Sequence, residues 1–531
     1  MRLLLTAFAF LFVSSPAAAE WWRAETNNFV IISEDDEDEV RRFAAELERF
    51  DMALRYLQNM PIGEAQPTDA TKLTVYRFGD VGDIGRMAGA SGVAGFYIPR
   101  AGDSVAFSPA REERRRSMTV VDVDRSRNRV ARLDAVSVLQ HEYVHYFMMQ
   151  HFPAAYPAWY VEGYAELLAT IRFNEDGTFH VGDPPQYRAA QIFQLRQFPI
   201  EDMLDQEHEL SGYEGYQFYG TGWLLAHYLN FDPTRLAQLN EYLVAIGQGE
   251  DSLTAARRIF GDLDQIDREL REYREGAFPG YDVTTPGYVE PQPQMRRLTE
   301  IEEDLIREEM ELRRGVDKDD AAKIARDIIR KAGGGSMPGQ SHALGLLARA
   351  YYAAEDYDNA LTVAERLIEV DPNDIMGPLY ASYALTERID ENPAWTERAR
   401  EYALAAARIE IEDPRPRIAY YYSFLEADET PPEAALYALE GAFDTAGSDP
   451  TYRVFLARQF LFDNELELAK STLQPIAFRG HNQGPSDDDE ERDPTKRPPN
   501  LDEIMAKINA GDRDAALAMM DELIDWEPEN A

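Results

Sequence analysis

The stretch LDAVSVLQHEYVHYFM at positions 133–148 decides how the first half of this chain folds and which chemistry it can carry. Asp134 is suited to cap a helix, and the apolar residues after it recur at helical spacing. His141 and His145 then lie one turn apart on the same face, so their imidazoles can share one metal ion. Glu142 lies off the axis of the two rings and can reach a metal-bound water without taking a ligand position.

A second helix supplies a third candidate ligand. Pro153 and Pro157 are predicted to end one helix and begin the next, which continues as AWYVEGYAELL at 158–168. A helix–turn–helix of this length can bring Glu162 back over the histidine pair, and two histidines with one glutamate leave a fourth zinc position open. Glu166, one turn later, is predicted to accept a hydrogen bond from a ligand imidazole. The exchanged assignment, with Glu166 as the ligand, stays open.

These two stretches resemble the gluzincin metallopeptidases of the peptidase MA-like group. The resemblance rests on H-E-Y-V-H followed by P-x-W-x-x-E-G-x-A-E. It implies that one Zn²⁺ ion per chain is bound by His141, His145 and Glu162, and that Glu142 is the catalytic base. It also implies an α+β metallopeptidase domain, with a small mixed sheet packed on helices.

The resemblance further implies a downstream tyrosine that donates a hydrogen bond to the substrate oxygen. Tyr219 is the first candidate and Tyr216 the alternative, within the stretch YQFYGTGWLL that begins at Tyr216. An ordinary core or surface tyrosine is an equally good interpretation of either residue. Related aminopeptidases carry G-x-M-E-N upstream, whereas this chain has GVAGF at 92–96. We therefore expect an endopeptidase rather than an aminopeptidase.

The beginning of the chain has the features of a cleavable export signal. Arg2 precedes an apolar stretch at 3–13, and the small residues Ala17-Ala18-Ala19 offer a cleavage site after Ala19. The apolar stretch is too short to span a bilayer, and no later stretch reaches the necessary length. The sequence thus predicts a periplasmic or secreted protein without a membrane span.

The composition excludes several classes of function. The 531 residues include 96 Asp or Glu and 54 Lys or Arg, which gives a formal charge of −42. Such a chain repels phosphate backbones, so we expect no nucleic acid as a partner. It contains no cysteine, which excludes disulfides, cysteine-ligated zinc and thiol nucleophiles.

Four regions follow one another along the chain. We predict a signal peptide at 1–19, the metallopeptidase-like domain at 20–275, a linker rich in proline and glycine at 276–300, and an all-α solenoid at 301–531. The solenoid contains an acidic, proline-rich insert at 480–499, which we interpret as a solvated loop.

The solenoid prediction rests on a 34-residue frame that starts at Ser341 and has the spacing of a tetratricopeptide (TPR) repeat. Its key positions are Leu344, Leu347, Ala348, Tyr351, Ala360, Ala364, Leu367 and Pro372. Frames at Pro416 and Pro450 agree more weakly, and residues 514–528 are typical of the second helix of a further repeat. Generic helical hairpins are the alternative. TPR-like repeats would offer a concave surface for a substrate or a protein partner.

Alternating apolar residues predict the strands of the first domain. Strands are expected at Phe29–Ile32 and Leu73–Tyr76, and a hairpin is expected from 95–98 and 104–107. Residues 104–107 are either an ordinary strand or the sheet edge that pairs with an extended substrate. Helical spacing predicts a helix over 36–59.

Two hypotheses of function follow. The first is an exported zinc peptidase whose repeats recruit a peptide or protein substrate or a partner. The second is a scaffold or assembly factor of the cell envelope in which the peptidase fold is inactive or incidental. A degenerate site would be expected to lose the base or a histidine, whereas Glu142, His141 and His145 are all present.

Overall fold

The computed structural model describes residues 20–524, except for 63–68, 91–92, 112–134, 175, 207, 209, 287, 334–336, 338 and 478–499. The predicted signal peptide at 1–19, the acidic insert at 480–499 and the predicted cap Asp134 therefore lie outside the described residues.

Nine strands form two sheets in the described part of the chain. They are β1 (Trp22–Glu25), β2 (Phe29–Ser33), β3 (Leu73–Arg77), β4 (Phe96–Ile98), β5 (Val105–Ser108), β6 (Arg172–Phe173), β7 (Thr178–Val181), β8 (Tyr281–Thr284) and β9 (Gln294–Arg297). The larger sheet has the order β4-β5-β3-β2-β1-β9, and the smaller one has the order β6-β7-β8.

The larger sheet is mixed, as the sequence predicts. β3 is parallel to both β2 and β5, whereas β1, β4 and β9 each pair antiparallel to a neighbour. The predicted hairpin is formed by β4 and β5. Because β5 lies between β3 and β4, its backbone groups already have partners on both sides, and the proposal that residues 104–107 form the sheet edge is wrong. The edge strands of this sheet are β4 and β9.

The predicted linker contains regular structure. β9 adds to the six-stranded sheet beside β1, with Met295 opposite Ala24, and β8 completes the smaller sheet beside β7. Segment 276–300 is therefore not only a tether. The proline and glycine content of this segment predicts a linker. The two short strands could not be predicted from it, because their pairing partners lie far away in sequence.

Helices cover the sheet and complete the first half of the molecule. They are α1 (Glu37–Leu57), α2 (Val81–Ala88), α3 (Ala135–His151), α4 (Ala158–Leu168), α5 (Ala189–Phe193), α6 (Ile200–Leu204), α7 (Gly212–Phe231), α8 (Pro233–Gly247), α9 (Ser252–Phe260) and α10 (Leu263–Glu275). The predicted helix over 36–59 is α1, where Asp36 accepts a hydrogen bond from the Glu39 backbone N–H as N-cap. α3 packs on β4, β5 and α4.

Beyond β9, every regular element in the described part of the chain is a helix. Its helices are α11 (Glu300–Arg314), α12 (Lys318–Lys331), α13 (Ser341–Ala353), α14 (Tyr357–Val370), α15 (Met376–Thr386), α16 (Trp395–Ile409), α17 (Pro414–Leu425), α18 (Glu433–Gly441), α19 (Phe443–Ala446), α20 (Pro450–Phe462), α21 (Leu466–Ala477), α22 (Leu501–Asn509) and α23 (Arg513–Ile524).

The helices stack as a solenoid. Most consecutive helices pack on each other, and α11, α13, α15 and α17 also contact one another in turn, so they share one face, here called the inner face. The frame that starts at Ser341 corresponds to α13 and α14, and the frame at Pro450 corresponds to α20 and α21. Ala360 and Ala364, two of the key positions of the first frame, are fully buried. Helical hairpins are thus confirmed in both frames.

No α-helix in the described part of the chain combines the length and the apolar character that crossing a bilayer requires.

Candidate metal centre

Two helices that meet beside the sheet carry the predicted ligands. α3 presents His141, Glu142 and His145, and α4 begins directly after Pro157, as predicted. A third helix, α7, approaches α4 very closely at Gly163. A Cβ atom at this position would lie only 2.4 Å from the backbone oxygen of Gly222. The glycine of the E-G motif therefore permits the contact that brings α7 to the site.

The structure brings the three predicted ligands together. The Nε2 atoms of His141 and His145 are 3.0 Å apart. The Oε2 atom of Glu162 lies 3.2 Å from His141 Nε2 and 3.8 Å from His145 Nε2. One ligand atom from each residue can be chosen so that all three lie within 4.8 Å of one another.

These separations suit a zinc ion. With metal–ligand bonds of about 2.0–2.1 Å, ligands at tetrahedral angles lie about 3.3 Å apart. The three distances of 3.0, 3.2 and 3.8 Å bracket that value. Nitrogen and oxygen donors in a set of two histidines and one carboxylate are also the donors that catalytic zinc prefers. The residues present therefore fit the metal that the sequence predicts.

Glu166 lies behind the ligand pair and belongs to a different contact. Its Oε1 atom is 3.7 Å from His141 Nδ1, beyond hydrogen-bond distance, on the opposite side of the ring from Nε2. Its carboxylate is instead held by the Tyr187 hydroxyl at 2.6 Å and by Arg188 Nε at 2.9 Å. The geometry favours Glu162 over Glu166 as the ligand, because only Glu162 approaches the nitrogens that face each other.

Sequence reasoning missed Tyr187 and Arg188. Both follow Pro184-Pro185 in a single turn of 3₁₀-helix at Gln186–Arg188. The local sequence carries no pattern that would single them out, because their partner Glu166 is on another element. Only the packing of that turn against α4 reveals that they hold the buried carboxylate.

The charged groups of the site shift one another's pKa values. Burial alone would raise the pKa of Glu162, but the positive charge of His145 and the hydrogen bond from His141 lower it to about 2. Burial alone would lower the pKa of His141, but Glu162 and Glu166 raise it to about 9. The carboxylates thus favour a positive charge between the two imidazoles.

Glu142 has a different environment. Burial raises its pKa to about 7, and the negative charges of Glu162 and Glu166 act in the same direction against the opposing effect of His141. A carboxylate with a pKa near neutrality can both take up and release a proton under the same conditions. This property suits a general base that later acts as an acid.

Of the two tyrosine candidates, the structure brings Tyr219 to the site. The Arg188 guanidinium stacks 4.5 Å from the centre of the Tyr219 ring. Burial raises the pKa of the Tyr219 hydroxyl, and the nearby charge of Glu162 raises it further. Tyr216, one turn earlier on α7, is 53% exposed.

Comparison with known proteins does not identify the chain. No protein-family model matches it, and no curated protein matches it. Among solved structures, the chain is similar to the crystal structure of a thermophilic TPR protein from Thermus thermophilus. The sequences are 17% identical over 36% of this chain and 91% of that one, with a TM-score of 0.27. A TM-score this low does not establish a shared fold.

Proposed function

We propose that this protein is an exported zinc-dependent peptidase that hydrolyses peptide bonds within protein or peptide substrates. The observation that carries the proposal is the convergence of His141, His145 and Glu162, drawn from two helices, with Glu142 beside them. The export signal predicted at 1–19 and the gluzincin-like motif support the same proposal from the sequence. The solenoid would recruit the substrate or a protein partner.

The ligands for zinc would be His141 Nε2, His145 Nε2 and a Glu162 carboxylate oxygen. When bound, zinc would lower the pKa of a coordinated water and polarise the carbonyl of the scissile bond. Glu166 has no direct share in this coordination. Tyr187 and Arg188 hold the Glu166 carboxylate 3.7 Å from His141 Nδ1, on the side of the ring away from Nε2, which favours a ring orientation with Nε2 toward the site.

Glu142 would move the proton. Its carboxylate takes a proton from the attacking water as the water oxygen bonds to the carbonyl carbon, and delivers it to the departing amine nitrogen. One water is consumed, and one carboxylate and one amine are released. A pKa raised to about 7 by burial makes both transfers accessible near neutral pH.

Tyr219 would donate a hydrogen bond to the substrate oxygen as that oxygen gains negative charge. Because burial and the neighbouring carboxylates raise its pKa, the hydroxyl stays protonated at neutral pH and remains a donor. The contact with Arg188 restricts the ring to one orientation, so the donor is held in place before substrate binds.

Metal content and hydrolysis test the proposal together. The purified mature chain should contain about one zinc per molecule by elemental analysis and should hydrolyse casein. Glu142→Gln should keep the zinc and lose hydrolysis. Glu241→Gln, an exposed substitution on α8 that removes the same charge, serves as the matched control and should retain both.

Three results would contradict the proposal. In the first, the purified chain takes up no zinc. In the second, Glu142→Gln hydrolyses casein at the wild-type rate. In the third, the wild type and both variants bind zinc but none of them hydrolyses casein. The last result would favour the scaffold hypothesis.

A further inference from the structure

A buried carboxylate lies behind the helix that carries the two candidate histidine ligands. Asp51 of α1 is 1% exposed and has no part in the proposed hydrolysis. Its Oδ1 atom accepts a hydrogen bond from the Tyr143 hydroxyl of α3 at 2.7 Å. Its Oδ2 atom accepts from Arg55 Nε at 2.6 Å and from Asn28 Nδ2 at 3.0 Å. Asp51 therefore joins α1, α3 and the residue that precedes β2.

Tyr143 lies on the side of α3 away from the metal centre, here called the back face of α3. It is two residues from His141 and two from His145, and two residues correspond to about 200° around a helix. Its ring contacts Phe29 of β2, with 4.7 Å between ring centres, and Phe50 of α1, with 6.1 Å. The hydroxyl therefore meets its acceptor behind the ligand pair.

Arg55 makes a second polar contact with α3. Its Nη2 atom lies 3.4 Å from Nε2 of His151, the last residue of the helix. Burial and the charge of Arg55 lower the pKa of His151 to about 4, so the ring is neutral and Nε2 can accept the hydrogen bond. His151 follows Tyr143 by eight residues, which is about 12 Å along a helix. α1 thus holds α3 at two points along its length.

Apolar packing alone would define the register of α3 loosely. Between positions 143 and 148 every residue except His145 is buried, so buried contacts surround this part of the helix. Apolar contacts are non-directional. A hydrogen bond, in contrast, constrains both the distance and the angle between its partners. The bond from Tyr143 to Asp51 therefore fixes the rotation and the axial position of α3 more sharply than the surrounding packing does.

Keeping a carboxylate at this depth costs stability. Burial raises the pKa of Asp51, and the charge of Arg55 opposes that effect. Replacing a buried ion pair by apolar residues of similar volume is often neutral or stabilising, and the best-attested role of such a pair is to fix the register of packed elements. Helix placement therefore explains Asp51 better than stability does.

The candidate metal centre depends on that placement. Glu162 Oε2 of α4 lies 3.2 Å from His141 Nε2 and 3.8 Å from His145 Nε2. A ligand set functions only if its geometry is held within about 0.5 Å. A slip of one residue would move α3 by about 1.5 Å and turn it by about 100°. Because both histidines are on α3, a change in its register would displace both from Glu162 together.

We propose that Asp51 is a positioning residue of the metal centre, which acts through the Tyr143 hydroxyl to hold α3 and its two histidines opposite Glu162. This inference rests on the proposed function, because it concerns the same metal centre. It predicts that zinc affinity depends on a hydrogen bond on the back face of α3 in which no zinc ligand takes part.

Zinc affinity of a folded variant tests the proposal. Tyr143→Phe removes only the hydroxyl, and a circular dichroism melt verifies that the full mature chain folds. The substitution should weaken zinc binding about tenfold, measured by competition with a chromophoric chelator. It should also change the visible absorption spectrum of the Co²⁺-loaded chain, because that spectrum depends on the geometry of the ligands.

Tyr452→Phe is the matched control in the solenoid. The Tyr452 hydroxyl is also buried and donates one hydrogen bond, to the Leu439 backbone oxygen at 2.8 Å. This variant should lose a similar amount of stability and keep the wild-type zinc affinity. The reason is that destabilisation lowers the apparent affinity only by the fraction of chains that is no longer folded.

Asp51→Asn and the double variant with Tyr143→Phe test the route of the effect. Asp51→Asn should weaken zinc binding, because an amide oxygen is a poorer acceptor for the Tyr143 hydroxyl than a carboxylate. If Asp51 acts through Tyr143, the two losses do not add, and the double variant binds zinc about as weakly as Asp51→Asn alone. Fully additive losses would overturn this route.

Other results would also overturn the proposal. Wild-type zinc affinity in Tyr143→Phe would remove the positioning role and leave the proposed metal centre intact. An equal loss in Tyr143→Phe and Tyr452→Phe would show that zinc affinity follows overall stability. A wild-type chain that binds no zinc would contradict the proposed function itself, and this inference with it. None of these measurements depends on hydrolysis.

Discussion

Glu162 Oε2 lies 3.2 Å from His141 Nε2, although the two residues belong to different helices. The contact depends on Gly163, which lets α4 pack directly against α7 at Gly222. Gly163 thus determines how closely α4, which carries Glu162, packs against α7, which carries Tyr219. The ligand set and the candidate hydrogen-bond donor are consequently positioned by the same helix contact.

Gly163→Ala should separate these helices. The added methyl group would lie 2.4 Å from the Gly222 oxygen, and backbone cannot move aside as a flexible side chain can. We expect a loss of about 1–3 kcal/mol in the free energy of unfolding, measured by urea denaturation, together with weaker zinc binding.

Gly215→Ala is the matched control on α7, where an added Cβ meets nothing within 4 Å. It should be neutral or slightly stabilising, because alanine favours a helix over glycine. Equal stability of the two variants would contradict the packing argument.

Zinc should stabilise the folded chain. A ligand that binds only the native state at a thousand times its dissociation constant adds about 4 kcal/mol. The melting temperature should therefore rise when zinc is added to chelator-treated protein, and the rise should vanish in His141→Ala. An equal rise in that variant would mean that zinc binds elsewhere.

The Glu166 carboxylate, buried behind His141, should contribute to the affinity of the site for zinc. Among the described residues, Arg188→Leu leaves Glu166 with the Tyr187 hydroxyl as its one hydrogen-bond donor, and it removes the group that stacks on Tyr219. We expect zinc affinity to fall about 10- to 100-fold, measured by competition with a chromophoric chelator. Arg172→Leu, an exposed change nearby, should leave the affinity at the wild-type value. If both variants bind zinc equally, Arg188 has no positioning role.

Tyr219 and Tyr216 can be separated by kinetics. If Tyr219 donates to the substrate oxygen, Tyr219→Phe should lower kcat about 10²-fold with little change in KM. Tyr216→Phe should leave kcat unchanged, because that ring is largely exposed. A change in KM alone for Tyr219→Phe would assign the residue to substrate binding instead.

Acid should weaken the junction between the two halves. Burial alone would raise the pKa of Asp103, but Arg349, Arg313 and Arg415 hold it well below its ordinary value. The stability from this ionised carboxylate is therefore present above about pH 4, the ordinary pKa of an aspartate. It is lost as the pH falls below that value toward the pKa of the folded state.

Asp103→Asn should lower the free energy of unfolding by about 3–5 kcal/mol at neutral pH, because it leaves the buried Arg349 guanidinium without the carboxylate it pairs with. Its melting temperature should also depend less on pH between about pH 5 and pH 2 than that of the wild type. Asp320→Asn, an exposed substitution on α12, should match the wild type in both measurements.

Local sequence determined the elements of this protein. The period of apolar residues is enough to place α1 and α3, to set His141 and His145 one turn apart with Glu142 between them, and to predict the helical hairpin of α13 and α14. These features follow from hydrogen bonds and side-chain spacing within a few residues of each other.

Only the tertiary structure decided which of two similar candidate residues lies at the metal centre. It favoured Glu162 over Glu166 and Tyr219 over Tyr216, and it joined Glu166 to Arg188. It also turned a predicted linker into two strands and seated the β4–β5 hairpin against the solenoid. Each of these outcomes depends on how closely distant segments approach each other. That distance is determined by packing between elements, and the spacing of apolar residues within either segment does not predict it.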